Sequence, residues 1–218
     1  MTRSEYLEDQ HDRTSVNAAM LLVIWLRAST EEGSAGGRLR LMKLAFLTAR
    51  RMAERSICAL NLDFYRWKFG PMSNEVCDIW EQLRTVGLME EEEVWSVTPA
   101  GIDFAEAFYQ DVLGAEENAA VKEVIDEISI QWRTAWSAQP LMTHAYELSA
   151  NVNGSGPLVR DMALGAEFEA SPLPPHADIV LSVGNDWVET ISLTLNPSTM
   201  PMLQAAVEDF RGGRFLVA

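Results

Sequence analysis

The sequence predicts a mainly α-helical fold with a small β wing: a winged-helix-like helical core followed by a C-terminal helical extension. Three observations carry that expectation. Phe64 to Gly101, FYRWKFGPMSNEVCDIWEQLRTVGLMEEEEVWSVTPAG, reads in order as strand, tight turn, helix, acidic loop, short strand and the start of another helix. Apolar residues recur at helical spacing through much of the remaining chain. Hydrophobic residues make up 48% of the 218, enough for a packed core and too many for a disordered chain. Residues 14–150 are expected to form the winged-helix-like domain and residues 151–218 the extension.

The elements follow in chain order. Thr14 or Ser15 caps a first helix over residues 14–28, with Ala18, Leu21, Leu22, Trp25 and Leu26 at helical spacing. Glu31 to Gly37 is a flexible loop by composition. A second helix spans residues 38–56, with Leu39, Met42, Phe46, Ala49 and Ala53 on one stripe and Arg40, Lys43, Arg50 and Glu54 on another face. Leu62 to Phe69 alternates aromatic and polar residues and reads as a strand that Gly70 and Pro71 break, with Tyr65, Trp67 and Phe69 on one side. Ser73 caps a helix carrying Val76, Ile79, Trp80 and Leu83, and Gly87 ends it. Leu88 to Val97 makes a two-stranded wing with Glu90 to Glu93 at its tip. Thr98 and Pro99 open the next helix, which Phe104, Phe108 and Val112 continue.

Residues 116–137 form a strong helix with Val121, Val124, Ile125, Ile128, Trp132 and Trp136 on its apolar side. A shorter helix runs from Leu141 to Ala150, and Asn151 to Pro157 is a loop. A helix is expected from Leu158 to Glu169, then a break at Ser171 to Pro175. Val180, Val183, Trp187, Ile191 and Leu195 fit a helix, against a strand reading based on Val188, Thr190 and Ile191. Asn196 and Pro197 stop it, and a last short helix covers Met202 to Phe210.

Charge and composition narrow the function classes. Net charge is −15, yet residues 36–70 hold eight basic side chains against two acids, so that stretch is +6 and the rest is −21. An acidic body repels phosphate backbones. The arginines of the basic stretch are expected to line the wet face of a helix and pair with the acidic body. The helix that would enter a major groove, Ser73 to Arg84, carries Glu75, Asp78 and Glu81, and the wing carries Glu90 to Glu93. Carboxylates at both contact points oppose DNA. A regulator binding DNA through Arg38 to Arg55 is the alternative function. No apolar run reaches a membrane-spanning length. The N-terminus lacks the apolar core of a signal peptide, which makes the cytoplasm the expected compartment.

Catalytic and metal signals are weak. Cys58 and Cys77 lie in apolar patterns and read as buried free thiols. The spacing of the cysteines and of His11, His144 and His176 matches no metal-binding motif, so neither metal nor cofactor is expected. No nucleophile motif appears, and His144 on a mostly apolar helix reads as a packed residue. A hydrolase or transferase with a hidden site near His144 is a third class. Tyr65, Trp67, Phe69, Trp80 and Trp95 read individually as core and collectively as the place for a protein-binding patch.

Four segments together resemble the Panacea domain, the SocA-like antitoxin domain of bacterial and phage proteins, over Leu41 to Tyr146. LMKLAFLTARRM, with Lys43, is similar to the family's LQKLLYFA helix. FYRWKFGPMSNEV, with Tyr65, Trp67, Lys68, Gly70, Pro71 and Val76, resembles its aromatic strand, Lys-x-Gly-Pro turn and following helix. SVTPAG, with Thr98 and Gly101, resembles its Leu-Thr-x-x-Gly entry, and LMTHAYEL, with Thr143 and His144, its Leu-Thr-His segment. Cys77 stands where the family commonly has Tyr, the Pro-Trp often following His144 is missing, and residues from about Leu158 onward have no family counterpart. The resemblance implies a non-enzymatic antitoxin that binds and neutralises a protein toxin, with one branch delivering the toxin to a protease. It further implies that Gly70 and Pro71 set the turn and Lys68 anchors it. The acidic body suits a basic toxin.

Overall fold

The computed structural model describes residues 10–29, 34–91, 95–135, 137–168, 177–199 and 202. Among these, seven α-helices surround three small sheets, an α fold with a small β wing. Helix α1 (Gln10–Arg27) leads to strand β1 (Ser34–Gly36) and helix α2 (Arg38–Glu54). Then come β2 (Ile57–Cys58), the hairpin β3 (Tyr65–Trp67) and β4 (Gly70–Met72), and helix α3 (Asn74–Thr85). The wing strands β5 (Met89–Glu91) and β6 (Trp95–Val97) precede α4 (Pro99–Asp111), α5 (Ala119–Trp132), α6 (Ala138–Glu147), β7 (Ile179–Val180) and α7 (Asn185–Thr194).

The winged-helix character lies in one sheet. Its strand order is β1-β6-β5, so a strand from between the first two helices closes the wing hairpin. In a helix-turn-helix the two central helices are joined by a turn of about 3–4 residues. Here everything from Arg55 to Ser73, including β2 and the β3–β4 hairpin, is inserted between α2 and α3. The expected loop at Glu31 to Gly37 contains β1; Ser34, Ala35 and Gly36 have little strand propensity and are extended because Ser96 and Trp95 pair with them.

Helix α2 is the centre of the molecule and packs against α1, α5 and α6. The expected wet face of α2 is narrower than the sequence suggests: Arg40, Lys43 and Arg50 are buried along with the apolar stripe, while Arg38, Arg51 and Glu54 remain at the surface and Arg38 and Arg51 pair with acids of other elements as expected. A helix packed by other elements on most sides keeps only a strip of outward face. Two aromatic clusters tie the elements to it. Trp80 lies between Trp25 at 6.1 Å and Trp95 at 5.9 Å, the rings tilted by 45° and 46°, joining α1, α3 and the wing. Phe46 of α2 meets Phe64 at 5.3 Å and Phe168 at 5.4 Å, both edge-on, an arrangement aromatic quadrupoles favour.

Several expected elements take another form. The strand at Leu62 to Phe69 is limited to Tyr65–Trp67, and Gly70 and Pro71 do not end it but begin its return strand, register Trp67↔Gly70 and Tyr65↔Met72. Phe69 therefore sits in the turn, not on the strand face with Tyr65 and Trp67. The helix expected from Leu158 to Glu169 does not form. Val159–Asp161 is a single 3-10 turn, and after a turn at Gly165 the chain from Ala166 to Phe168 runs extended beside β3: Arg66 N donates to Ala166 O, Gly165 N to Arg66 O, and Phe168 N to Phe64 O. Gly165 has φ +85, which ends helical geometry.

The helix expected across Val180 to Leu195 is divided. Ile179 and Val180 pair in parallel with β2, and only Asn185–Thr194 is helical. The helix expected over residues 116–137 starts with a 3-10 turn at Glu116–Asn118 and is α-helical over Ala119–Trp132. The last expected helix, Met202 to Phe210, lies outside the described residues apart from Met202. Val159, Phe168, Ile191 and Leu195 are buried in the same core as α1 and α2.

Candidate functional site

The residues that carried the resemblance separate into two structural groups and one outlier. The first group holds the β3–β4 hairpin. The Lys43 side chain rises from α2 with 1% of its surface exposed, and its Nζ donates to the Pro71 carbonyl. Arg66, on β3, points inward: its Nε donates to Val159 O at 3.0 Å and its guanidinium lies 5.0 Å from the Tyr146 ring centre. Tyr146 of α6 donates its hydroxyl to the Lys68 carbonyl at 3.0 Å. Gly70 has φ +92, and a Cβ there would lie 3.6 Å from both Lys43 and Tyr146 atoms. The anchor of the turn is therefore Lys43, not Lys68, whose side chain is exposed.

This packing dictates the electrostatics of Lys43. Burial pushes its ammonium down to about 7, and the charge of Arg66 adds to the effect. Among the described residues no carboxylate forms an ion pair with it. Arg66 Nη1 is buried without a hydrogen-bond partner.

The second group forms the hinge of the wing. Thr98 Oγ1 accepts from Gly101 N at 3.1 Å, capping α4, and donates to Gly87 O at 2.7 Å. Gly101 lies so close to the wing that a Cβ would be 2.1 Å from Leu88 O. Val76 is fully buried, with its N–H on the Ser73 cap at 3.4 Å. The outlier is the α6 pair: Thr143 is exposed, and His144 packs on the Trp132 ring at 5.3 Å.

What the hairpin presents outward is aromatic. Trp67 is 45% exposed and Phe69 is 56% exposed. Trp67 meets the Tyr65 ring at 6.4 Å, and Tyr65 OH donates to Asn74 Oδ1 at 2.9 Å. Behind Tyr65 lies a pocket of about 250 Å³ lined by Asp63, Phe64, Tyr65, Gly165, Glu167 and Phe168. At its margin the Glu75 carboxylate accepts from Asp63 N at 2.9 Å. Desolvation pushes the Glu75 carboxyl above its ordinary value; the Asp63 N–H pulls it down, and the charges of Asp63 and Asp78 push it up again. Sequence reasoning did not single out Asp63, Arg66, Tyr146 or Glu167 as site residues. Only the inward phase of Arg66 between Tyr65 and Trp67 offered a signal.

The arginines of α2 and Arg55 are consumed internally. Arg40 donates to Ala28 O at 2.7 Å and Ala135 O at 2.8 Å, Arg50 to Ser149 O at 2.9 Å and Asn151 O at 2.7 Å. Arg51 and Arg55 both pair with Glu127, and Arg38 with Glu81 and Glu91 while lying over Trp95. The outward face of α3 exposes Glu75, Asp78 and Glu81.

Cys58 is buried outside any disulfide, its Sγ donating to Asn61 Oδ1 at 3.6 Å, whereas Cys77 in α3 is only half-buried. Burial pushes the Cys77 thiol up, away from an activated nucleophile. Among the described residues no group of three or more His, Cys, Asp or Glu side chains is placed to hold a metal, and no helix is long and apolar enough to cross a membrane. Comparison with protein-family models, with curated proteins and with solved structures brings no match.

Proposed function

We propose that this protein acts by binding another protein, as an antitoxin that neutralises a basic protein toxin by covering it. The observation that carries the reading is the β3–β4 hairpin, which holds Trp67 and Phe69 in solvent on a turn braced from below by Lys43 and Tyr146. Exposed aromatic anchors on a rigid support are what protein interfaces use as hot spots, because they bury area without a large ordering cost. The resemblance at the same residues supplies the antitoxin role, with delivery of the toxin to a protease as a further step in one branch. The net charge of −15 favours steering towards a basic partner.

The test is co-expression with the product of the adjacent reading frame. Rescue of growth from a toxic neighbour, together with co-purification, is the expected result, and Trp67→Ala/Phe69→Ala is expected to weaken the complex at least tenfold with the thermal melt unchanged. A neighbour that is harmless alone and does not co-purify overturns the reading. One observation favours DNA binding instead, the β1-β6-β5 order of the wing sheet. It is opposed by the acidic outward face of α3 and by the internal pairing of Arg38, Arg40, Arg50, Arg51 and Arg55. Fluorescence anisotropy with duplex DNA is expected to show no binding at physiological salt; a nanomolar complex with a steep salt slope would reverse the ranking.

A further inference from the structure

The aromatic tip does not end at Trp67. The Trp67 ring contacts Tyr65, and Tyr65 forms one wall of the 250 Å³ pocket whose floor is made of the buried rings of Phe64 and Phe168. The two carboxylates lining it, Asp63 and Glu167, are both exposed. That volume is below the roughly 300–1,000 Å³ of small-molecule sites and suits a single long side chain. Aromatic faces with carboxylates at the rim form a socket for a cation, since ring quadrupoles and the acids both attract it.

Part of the acidic charge is committed within the chain. Glu54, Glu81, Glu91, Glu106, Glu123, Asp126 and Glu127 each pair with a lysine or arginine of this chain. Among the described residues Asp63, Glu75 and Glu167 form no ion pair. Among those residues Asp78, Asp103, Asp111, Glu147, Asp186 and Glu189 form none either, so what distinguishes Asp63 and Glu167 is the aromatic-walled pocket they line beside the exposed turn.

Resting on the antitoxin reading, we propose that the continuous surface from Trp67 through Tyr65 to the Asp63–Glu167 pocket is where the partner docks, and that the pocket receives one lysine or arginine side chain of that partner. The occupant is a basic protein segment: apolar contact at Trp67 supplies burial, and the pocket supplies selection for a cation. Nucleic acid is excluded as occupant by the sign of the charge.

The test compares the wild type with Asp63→Asn/Glu167→Gln and with a control lacking two exposed acids elsewhere, Glu116→Gln/Glu189→Gln. Affinity for the co-expressed neighbour is measured at several salt concentrations, and folding is checked by thermal melt. The pocket variant is expected to bind at least tenfold more weakly and with a flatter salt dependence, and the control to stay within twofold of the wild type. Equal binding by the pocket variant, or equal loss in the control, overturns the proposal.

A wild type that captures no neighbour refutes the antitoxin reading, and the pocket is then judged on a separate probe. Titration with acetyl-Ala-Arg-Ala-amide is followed by NMR. Saturable shifts at Tyr65, Gly165 and Phe168 that vanish in the pocket variant support the socket. Shifts spread over the α3 face, or none at 10 mM, a concentration of about the millimolar order at which a single weak contact registers, overturn it.

Discussion

Lys43 is a cation sealed between a helix and a hairpin, and its protonation has a thermodynamic signature. Its pKa is about 7 in the folded protein against 10.5 ordinarily. Between those values the unfolded chain binds the proton and the folded chain does not, so stability rises with pH through that window and the deficit is fully present below it. At about 1.4 kcal/mol per unit this is a few kcal/mol. Urea midpoints from pH 6 to 10 should climb in the wild type relative to Lys43→Met; parallel curves would refute it. Gly101 is the other sharp residue. Gly101→Ala pushes a Cβ into Leu88 O at 2.1 Å, a backbone atom that cannot yield, and should cost about 3 kcal/mol or more in denaturant titrations. Neither role could be read from spacing alone. Lys43 occupies a polar phase of α2, which reads as a solvent face until the surrounding helices and strands are packed on it, and its acceptor lies on a different element.

Caps and packing decide which elements persist. Thr98 closes α4 and also ties it to Gly87, so Thr98→Ala should remove about 1–2 kcal/mol, measured by chemical unfolding. Within α2, the guanidinium of Arg40 satisfies carbonyls of Ala28, Trp132 and Ala135. Arg40→Met should cost about 3 kcal/mol, because those carbonyls lose a charged donor. Arg38→Met, whose ion pairs are half exposed, should cost no more than about 1 kcal/mol. The helices that start at Ser73 and Thr98 were legible because apolar period and cap chemistry agree there, whereas Thr14 and Ser15 do not cap α1, which is already helical at Gln10. Strand β1 was not legible, since Ser34 to Gly36 become a strand through pairing with the wing rather than through propensity. The region from Leu158 to Glu169 failed for the reverse reason: its composition tolerates a helix, but its backbone groups are taken by Phe64 and Arg66.

At the scale of the molecule, described segments after Pro157 are built into the core. β7 adds to β2, Asn118 clips Ser182 through hydrogen bonds at 2.7 and 2.9 Å, and Ile191 and Leu195 are buried. A chain ending at Pro157 should therefore lose its cooperative melt, as followed by circular dichroism, and elute as aggregate. This arrangement was hidden in the sequence because each of its pairings joins residues far apart in the chain. The distribution of tryptophans gives the hairpin an optical handle, since Trp67 is the most exposed tryptophan among the described residues. Trp25, Trp80 and Trp95 emit from a buried interior that an aqueous quencher does not reach, whereas Trp67 emits from water. Acrylamide added to the native protein dims Trp67 ahead of those three, and because Trp132 and Trp187 are half-buried and also contribute, shielding of the tip is read as the part of the Stern–Volmer slope that Trp67→Phe removes.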